Sequence, residues 1–549
     1  MGHHHTIRLF QDNSRSLPHV LVCLSPTCSA SAALGSAMAL DWWTTGWLVL
    51  VALGLLWRYL SWGYGFWRRL GVPHPAPSVP FGNVADVMLA RRHFSEVADD
   101  IYRQMEGQPF YGFYRVRQPV LMLRDPELVR TIMIRDFASF HDNFFHVNEE
   151  LDPILARNPF FMKGEPWRKL RSQLSPSFTA SRLKPMFLLM KEVCDDLVKV
   201  LQKEGARGEL EARELCMRYT TDVVSSCAMG IRGGALDDSR SDMLAELRKI
   251  LDPSTSSAVA ITLSNMFPFL GGLFSVRIVP VEVHNFLYDV VSRTVAKRQH
   301  EGIYRNDYLQ MLVDLKTKGY LDGSGQELAS KTFFTDLDIT AQVMTFIADG
   351  IHTSSTGMSY LLYELARHPD VQQRLRRELQ EALHKHGGQL TYDVINDATY
   401  LDMVITEALR LHTPFSPMEK LCTAPYNLAT PSGKTVTIPP GTVVILPTSS
   451  IHTDPQYYPN PRAFDPERFS PDNKDRTAKM AFLAFGAGPR SCIGQRFALS
   501  QLKMGVATIV LHSELRPSAR TPKAIRVNPK GLLRLCRDGL WLNFQPLHH

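Results

Sequence analysis

Ten residues near the carboxyl end, Phe485–Gly494, constrain the fold of this chain more than any other stretch. They read FGAGPRSCIG and precede an apolar-periodic run, QRFALSQLKMGVATIVL, which predicts a helix. Their three glycines permit positive φ angles and close backbone approach, so a flat ligand could lie against this loop. Cys492 stands just before the helix, where free amides and the helix dipole are expected to lower the pKa of its thiol and make it a metal ligand. A lone cysteine is otherwise more often an inert buried side chain.

Composition and charge exclude several classes of protein. The 549 residues are 44% hydrophobic and 21% charged, which is typical of a globular chain with a large core and argues against disorder. A net charge of +7 is too dilute over this length to indicate a nucleic-acid binder, so no nucleic-acid partner is expected. The eight cysteines are scattered and form no CxxC pair. They argue against a disulfide scaffold and fit a reducing, cytosol-facing environment.

An apolar segment near the amino end predicts a membrane anchor. Residues 42–67 contain a single charge, Arg58, and as a helix they would be long enough to cross a hydrocarbon core of about 30 Å. Tryptophans near both ends, Trp67 among them, are expected at the membrane interface, and the arginine pair that follows places the carboxyl side in the cytosol. We therefore expect a transmembrane anchor at 42–67 and a proline-rich connector at 68–80, in preference to a cleaved signal peptide.

The segments on either side of this anchor differ in character. Residues 1–37 are rich in serine and poor in acids, as in a transit peptide, while Met38 could be an alternative start. From residue 81 to residue 549 there is no low-complexity linker, internal repeat or change of composition. This part of the chain predicts one large domain behind an uncertain leader.

Helical periodicity dominates that domain. An apolar stripe predicts a helix at 399–411, a run of charges predicts a surface helix at 370–385, and a long helix is expected at 337–366. Strand signals are short and local, and the clearest pair flanks a Pro-Pro-Gly turn and predicts a hairpin at Val436–Leu446. The expected fold class is mainly α with minor β.

The motif F-x-x-G-x-R-x-C-x-G, carried by Phe485, Gly488, Arg490 and Cys492, resembles the haem-binding loop of the cytochrome P-450 superfamily. From about residue 70 nearly to its end, the chain is also similar to the microsomal, xenobiotic-metabolising branch found in insects and vertebrates, with matching segments FFMKGEPWRKLRSQLSPSFTASRLKPMF, NDYLQMLVDL and TSSTGMSYLLYELARHPDVQ. This resemblance implies a large helical domain plus a small β-rich part behind a transmembrane helix. It places haem b (iron protoporphyrin IX) between a long central helix and the cysteine loop.

The resemblance assigns roles to the residues of the loop. Cys492 would be the axial thiolate of the haem iron, and Arg490 would pair with a haem propionate. Phe485 would pack near the sulfur and tune its electronic properties, and Gly488 would allow the loop to approach the cofactor.

Two further basic sites are implied to bind propionates. Trp167 and Arg171 in WRKLR have an i, i+4 spacing, which lets an indole N–H and a guanidinium reach one anion from the same helix face. An ordinary amphipathic basic helix is the alternative interpretation of that spacing. Lys420, in PMEKLC, occupies a position where relatives often carry another basic partner.

Glu407 and Arg410 are three residues apart, a spacing that is usually a solvated helix contact. The resemblance implies instead that they join Arg468 of the PERF segment in a buried charge triad. Such a triad would hold the core on the haem side, and removing one partner would leave buried charge without compensation.

The central helix departs from the family pattern at ADGIHTSST. Relatives show A-G-x-[DE]-T-[TS], in which a carboxylate and an alcohol relay protons during oxygen activation. Gly350 and Thr353 match, whereas His352 stands at the acid position and Asp349 at the alanine position. We hypothesise that Asp349 and His352 together replace the missing acid and that Thr353 is the catalytic alcohol. Alternatively, His352 hydrogen-bonds a nearby carbonyl or Asp349 faces solvent.

The function implied is that of a haem-thiolate monooxygenase, anchored in the endoplasmic reticulum membrane with its catalytic domain in the cytosol. It would insert one oxygen atom from O2 into an apolar small molecule. No flavin or nicotinamide domain is expected, so electrons would come from a separate NADPH-dependent flavoprotein reductase, with cytochrome b5 as a second donor. Two alternatives stay open. One is an isomerase or dehydratase of organic peroxides that needs no reductase, and the other is a catalytically silent haem carrier or sensor.

Three segments are candidates for substrate access or for lining a pocket: His141–Val147, Met266–Phe274 and Pro414–Met418. The phenylalanines of the second segment could instead contact membrane lipid.

A local excess of basic residues predicts where a redox partner docks. Between residues 474 and 503 six bases face one acid, a net charge of +5, and we expect them to form a positive face for an acidic partner: Lys474, Arg476, Lys479, Arg490, Arg496 and Lys503.

Overall fold

A computed structural model of the chain describes residues 42–238, 241–251, 277–318, 334–430, 433–473 and 481–547. The chain divides into two compact units, Met1–Tyr59 and Leu60–His549. The predicted leader, the aromatic segment 266–274 and the basic residues 474–479 lie outside the described residues.

Helix α1, Trp42–Ser61, lies where the anchor was predicted and is shorter than the predicted span 42–67. Its side chains are mostly apolar, and almost all of them are exposed. Among the described residues it is the one helix long and apolar enough to cross a membrane, judged by length and composition.

Helix α2, Phe66–Leu70, belongs to the folded domain and carries Trp67 into its core. The Trp67 ring is fully buried, and its indole N–H donates to the carbonyl of Phe113 at 3.0 Å. A Cβ at Gly112 would lie 2.5 Å from that ring, so only glycine leaves room for it. The predicted interface position of Trp67 is therefore wrong. The expected connector is also packed on the domain, because the carbonyl of Pro73 accepts a hydrogen bond from the Gly112 N–H at 2.9 Å.

The unit from Leu60 onward is mainly helical, as predicted. After α2 the described helices are α3 Ala85–Met88, α4 Phe94–Gln104, α5 Pro126–Arg130, α6 Pro153–Ala156, α7 Gly164–Leu174, α8 Ala180–Glu204, α9 Ala212–Met229, α10 Asp242–Leu251, α11 Val281–Glu301, α12 Tyr308–Lys318, α13 Asp336–Arg367, α14 Pro369–Lys385, α15 Tyr392–Asp397, α16 Thr399–Leu411, α17 Thr448–His452 and α18 Gln495–His512. The predicted helices at 337–366, 370–385 and 399–411 are confirmed as α13, α14 and α16.

Short turns of tighter or wider helix join these elements. A π-helical turn covers Thr131–Arg135, and 3₁₀ turns cover Phe137–Ser139, Ser175–Phe178, Gly205–Arg207, Pro466–Phe469, Pro471–Asn473 and Gly488–Arg490.

In the described ranges, ten short strands form the minor β part: β1 Phe110–Arg115, β2 Gln118–Leu123, β3 Asp142–Asn143, β4 Glu209–Glu211, β5 Met418–Leu421, β6 Tyr426–Ala429, β7 Thr435–Ile438, β8 Val443–Leu446, β9 Ser513–Pro517 and β10 Trp541–Pro546. The described strands make a five-stranded sheet in the order β1-β2-β8-β5-β3, a three-stranded sheet β4-β10-β9 and a β6-β7 pair. Strands β2 and β8 are parallel, and the remaining pairs are antiparallel.

The predicted hairpin at Val436–Leu446 is wrong. Strand β7 pairs with β6, whereas β8 pairs with β2 and β5. The physical reason lies in burial. Strand β8 is buried at every position, as a central strand is, while β7 alternates between exposed and buried side chains, as a strand with one solvent face does. Two strands with such different environments flank the same turn without pairing.

Helix α13 runs through the helical core. It begins with a capping box, in which the Thr335 hydroxyl accepts from the backbone N–H of Asp338 while the Asp338 carboxylate accepts from that of Thr335. Neighbouring helices bond to the middle of α13: Gln501 of α18 donates to the Gly350 carbonyl at 3.0 Å, and Thr220 of α9 donates to the Ile351 carbonyl at 3.4 Å. The centre of α13 is thus held between α9 and α18.

The predicted charge triad is confirmed. Arg410 donates to both carboxylate oxygens of Glu407, at 2.7 and 2.8 Å, and Arg468 donates to the same carboxylate at 3.3 Å. Glu407 and Arg410 are fully buried, and burial raises the pKa of Glu407 although both arginines oppose that rise. Arg410 also donates to three backbone carbonyls, those of His452, Pro461 and Ala463. The triad therefore ties α16 to the loop before Pro466–Phe469.

Candidate functional site

The cysteine loop is closed by its own backbone. The Cys492 N–H donates to the Phe485 carbonyl at 2.9 Å, and the Ser491 N–H donates to the Gly488 carbonyl at 3.0 Å. Gly488 has a φ of +69°, and a Cβ there would lie 2.1 Å from the carbonyl oxygen of Met133. In the structure, then, this glycine lets the loop pack on the π-helical turn Thr131–Arg135.

The Cys492 side chain is exposed although protein atoms around it exclude much of the solvent. Burial raises the pKa of its thiol to about 11, and the Gly494 N–H and the charge of Arg171 only partly oppose this. The predicted lowering of its pKa is therefore wrong for the protein alone, because the loss of solvation outweighs the helix terminus. A thiol that is both accessible and desolvated lies on the wall of an internal cavity. Binding to a metal ion would deprotonate it.

Asp349 of α13 has the same combination of properties. Its side chain is exposed, yet burial raises its pKa to about 6. The Asp349 charge also raises the pKa of Cys492, so the two groups interact electrostatically. Thr353, one turn along α13, donates its hydroxyl to the Asp349 carbonyl at 2.6 Å. Because both groups are exposed, desolvated and electrostatically coupled, we infer that the central helix and the cysteine loop line one cavity.

His352 has a different partner. The guanidinium of Arg213, at the start of α9, donates to His352 Nε2 at 3.0 Å. That nitrogen therefore acts as an acceptor, which a neutral imidazole provides. Asp349 in turn accepts from the amide of Asn158 at 3.3 Å. The joint relay of Asp349 and His352 stays a prediction.

Arg490 is stacked on Trp167, with its guanidinium carbon 3.8 Å from the ring centroid. Burial lowers the pKa of Arg490 to about 10. Its N–H groups donate to one carboxylate, that of Asp142 at 3.4 Å, and to three carbonyls at 2.8 to 2.9 Å: His141, Pro159 and Met162. The structure thus brings Arg490 and Trp167 together beside the loop.

Two more predicted basic residues flank this pair. Arg171 of α7 donates to the Ser491 carbonyl at 2.8 Å, which fixes α7 against the cysteine loop. Lys420 of β5 is 4% exposed and donates to the side-chain oxygen of Asn143 at 2.9 Å. Burial and the charge of Arg490 lower the pKa of Lys420 to about 7.

The positive charge of the basic cluster, Arg171, Lys420 and Arg490, indicates which kind of ligand fits the cavity. Within the described ranges, Asp142 is the one carboxylate that acts on Lys420 and Arg490, and the lowered pKa of Lys420 indicates that an anion would be favourable beside these two residues and Arg171. In the described part of the chain no group of three metal-binding side chains occurs, so a metal at Cys492 must bring other donors. Haem brings four porphyrin nitrogens, a flat apolar ring and two carboxylates. The thiol, the cavity and the basic cluster fit it.

Sequence reasoning missed three residues of the site. Asp142 lies in the segment 141–147, which had been singled out only for substrate access, while Asn158 and Arg213 belong to no motif. All three reach the site through tertiary contacts between segments far apart in the chain, at Arg490, Asp349 and His352.

Comparison with known proteins decides the family. A family model described as Cytochrome P450 matches residues 73–540. The chain belongs to the cytochrome P450 family. It is 34% identical over 507 residues to "Probable cytochrome P450 6g2" of Drosophila melanogaster, covering 90% of this chain and 97% of the relative. It is also 34% identical over 510 residues to "Cytochrome P450 6A1" of Musca domestica, covering 91% and 98%.

The predicted resemblance to the insect branch is thereby confirmed, and so are the enzyme class and the cofactor. This cytochrome P450 is a haem-dependent monooxygenase. Haem, when bound, supplies the oxygen-activating chemistry. The individual roles of the site residues stay predictions.

The predicted basic face of this cytochrome P450 needs correction. Arg490 contacts Trp167 inside the domain, and Lys503 is buried and paired with Asp402 at 2.7 Å. Of the six bases, Arg496 alone is both described and exposed. Sequence counting could not separate bases held by internal acids and carbonyls from bases that face solvent.

Proposed function

We propose that this cytochrome P450 inserts one oxygen atom from O2 into an apolar small molecule, with electrons from a separate NADPH-dependent flavoprotein reductase. The observation that carries the proposal is that the Cys492 thiol and the Asp349 carboxyl are both exposed and yet desolvated, and that they interact electrostatically. A thiol and a protonatable group close to each other are what a haem-thiolate oxygenase requires of its chain.

In this proposal Cys492 is the metal ligand, Arg171, Lys420 and Arg490 neutralise the haem propionates, and Trp167 offers them its indole N–H. Three of these four bind nearby protein groups: Arg490 binds carbonyls and Asp142, Arg171 binds Ser491, and Lys420 binds Asn143. Such contacts orient cationic groups in advance, so little is lost in ordering them when an anion binds.

Phe485 and Gly488 have supporting roles in the proposal. The Phe485 carbonyl accepts from the Cys492 N–H, which keeps this residue beside the sulfur-bearing one. Gly488 allows the loop to lie against Met133 and so sets the position of the turn that carries Arg490.

Thr353 is the proposed catalytic alcohol, with Asp349 and His352 as proton-holding groups. The Thr353 hydroxyl donates to the Asp349 carbonyl at 2.6 Å. By rotating about χ1 it can exchange this bond for one to water or to a reactant in the cavity, because a hydroxyl both donates and accepts. Burial raises the pKa of Asp349 to about 6, so this carboxyl can hold a proton near neutral pH.

We also propose that α1 anchors the enzyme in the endoplasmic reticulum membrane with the catalytic domain in the cytosol. The length and composition of α1 support the anchor, and the arginine pair Arg68 and Arg69 supports the orientation.

The reductase, or cytochrome b5, is proposed to dock beside the cysteine loop. Arg168 and Lys169 are exposed on α7, the helix that Arg171 fixes to the loop, and Arg496 is exposed at the start of α18. These bases would attract an acidic partner, with a rate that falls as ionic strength rises.

The carbon monoxide difference spectrum of the reduced, purified protein tests the proposal. A band of thiolate-ligated haem in the wild type, absent in Cys492→Ser, supports it, and the lack of such a band in the wild type would overturn it. NADPH consumption with added reductase then separates the monooxygenase from the alternatives. Peroxide turnover without reductase would identify the isomerase or dehydratase, and neither activity would leave a haem carrier.

A further inference from the structure

Asp349 places a carboxylate where the family pattern has an alanine, and it does so on the wall of the proposed catalytic cavity. Its side chain is exposed, and its charge raises the pKa of the Cys492 thiol. A carboxylate in this position would contact a ligand bound in the cavity.

The described part of the protein supplies no cation to this carboxylate. Burial raises the pKa of Asp349 and the Asn158 amide opposes that rise, and no arginine or lysine among the described residues is paired with it. Other buried carboxylates of the domain do have a guanidinium partner: Asp307 has Arg298 at 2.6 Å, and Glu407 has Arg410 at 2.7 Å. Asp349 is therefore a desolvated acid, and no paired cation stabilises its negative charge within the described residues.

Asn158 orients one oxygen of this carboxylate. Its side-chain oxygen accepts from the Phe160 N–H at 2.7 Å, so its amide nitrogen is held toward Asp349 Oδ2 at 3.3 Å. For Asp349 Oδ1 no donor is recorded in the described part of the protein. Asp349 Oδ1 is therefore the oxygen that can accept a hydrogen bond from a ligand.

We propose that Asp349 selects substrates that carry a protonated amine on an apolar frame, by accepting a charge-assisted hydrogen bond from the ammonium. This inference rests on the proposed function and names the substrate class of the same cavity. An ammonium supplies both the missing charge and a donor, which an uncharged apolar molecule does not. An ionised carboxylate accepts hydrogen bonds and attracts positive charge, so it favours a cation over a hydrogen-bond acceptor.

The test compares two ligands of one shape. 1-Methyl-4-phenylpiperidine is a cation at pH 7.5, and 1-methyl-4-phenylcyclohexane is its uncharged carbon counterpart. Their Kd values are measured by calorimetry on haem-loaded protein for the wild type, Asp349→Asn and Asp349→Glu, with Asp289→Asn on the exposed face of α11 as the control.

Asp349→Asn should weaken binding of the amine relative to the carbon compound by about tenfold or more, the usual contribution of a hydrogen bond to a charged group. Asp349→Glu and Asp289→Asn should each leave the ratio of the two Kd values within about threefold of the wild type. If Asp349→Asn does not fold, Asp349→Ser serves as the neutral variant.

An unchanged ratio in the neutral variant overturns the inference, as does a ratio that shifts in favour of the amine. Its failure is distinct from failure of the proposed function. The wild type can show the carbon monoxide band of thiolate-ligated haem and still show no preference for the amine that depends on Asp349. In that case the proposed function stands and the inference about substrate class is wrong. A wild type without that band loses both.

Discussion

The guanidinium of Arg490 lies flat against the indole of Trp167, 3.8 Å from the ring centroid. The two residues are separated by more than 300 positions in the sequence and belong to the two motifs that were predicted to bind the same group. The indole covers one face of a desolvated cation, and the edges of that cation bond to carbonyls of other segments. This stack therefore sets the position of Arg490 two residues before the metal-binding cysteine.

Trp167→Ala should weaken haem retention, because it removes the ring that holds Arg490. A buried cation–π contact contributes about 2 kcal/mol, so haem transfer to apomyoglobin should become faster by roughly tenfold or more. Trp167→Phe keeps an aromatic face and loses the indole N–H, so its rate should lie between those of the wild type and Trp167→Ala. Equal rates for the Ala and Phe variants would show that the stack does not hold the cofactor.

Lys420 should make the stability of the haem-free protein depend on pH. Its pKa is lowered from 10.5 to about 7 in the folded state, so between these values the unfolded state binds more protons and stability rises with pH. The free energy of unfolding of the wild type should rise, relative to that of Lys420→Met, by up to about 1.4 kcal/mol per pH unit. Urea unfolding from pH 7 to 9.5 measures this difference. Lys297→Met, at an exposed lysine of α11, should give no such difference. Parallel profiles for wild type and Lys420→Met would contradict a buried, neutral Lys420.

Arg410→Met should unfold the domain more easily by about 3 to 5 kcal/mol, because it leaves the Glu407 carboxylate buried without its main partner. The exposed pair Asp289 and Arg293, 3.0 Å apart on α11, is the matched control. Arg293→Met should change the free energy of unfolding by at most about 1 kcal/mol. Similar losses for the two variants would argue against a desolvated triad.

Gly488→Ala should destabilise the cysteine loop. Its φ of +69° and the Met133 oxygen 2.1 Å from the added Cβ both oppose a side chain. Gly387 has a similar φ of +77° but open space around it, so Gly387→Ala measures the backbone strain alone, about 1 kcal/mol. We expect a lower Tm and a lower haem content for Gly488→Ala than for Gly387→Ala. Equal effects would mean that the loop can move away from Met133.

Those parts of the fold that depend on local pattern could be predicted from the sequence. The bounds of α13, α14 and α16 follow from apolar periodicity and charge. The charge triad follows from a helix motif and a PERF segment, whose meeting in space the family resemblance implies. Strand pairing could not be predicted in the same way, because β8 finds its partners in β2 and β5, far from the turn that precedes it.

Burial explains the remaining differences between the sequence predictions and the structure. The sequence neighbours of Trp67 are typical of a membrane interface, and those of Lys503 are typical of a basic surface. Both residues are nevertheless buried in the domain. The pKa of Cys492 depends on how many protein atoms exclude water from the thiol, which no spacing of residues reveals. Sequence patterns predict which groups occur at the site, whereas tertiary packing sets their charge.

The hydrogen bond from Arg213 to His352 Nε2, 3.0 Å long, gives the proton-delivery hypothesis its sharpest test. If His352 holds protons for Thr353 and Arg213 fixes its orientation, the two side chains act as one unit. Arg213→Leu and His352→Ala should then each raise the share of NADPH electrons lost as hydrogen peroxide, by on the order of twofold, and the double variant should lose no more than either single one.

Arg213→Lys is the control for the cationic donor, since a lysine keeps a charge and N–H donors at this position. It should recover part of the coupling that Arg213→Leu loses. Peroxide release and product formation are measured in the same reaction with added reductase, so that slower turnover is not mistaken for electron loss. Additive effects of Arg213→Leu and His352→Ala would show that they act separately, and unchanged peroxide release in His352→Ala would remove this histidine from proton delivery.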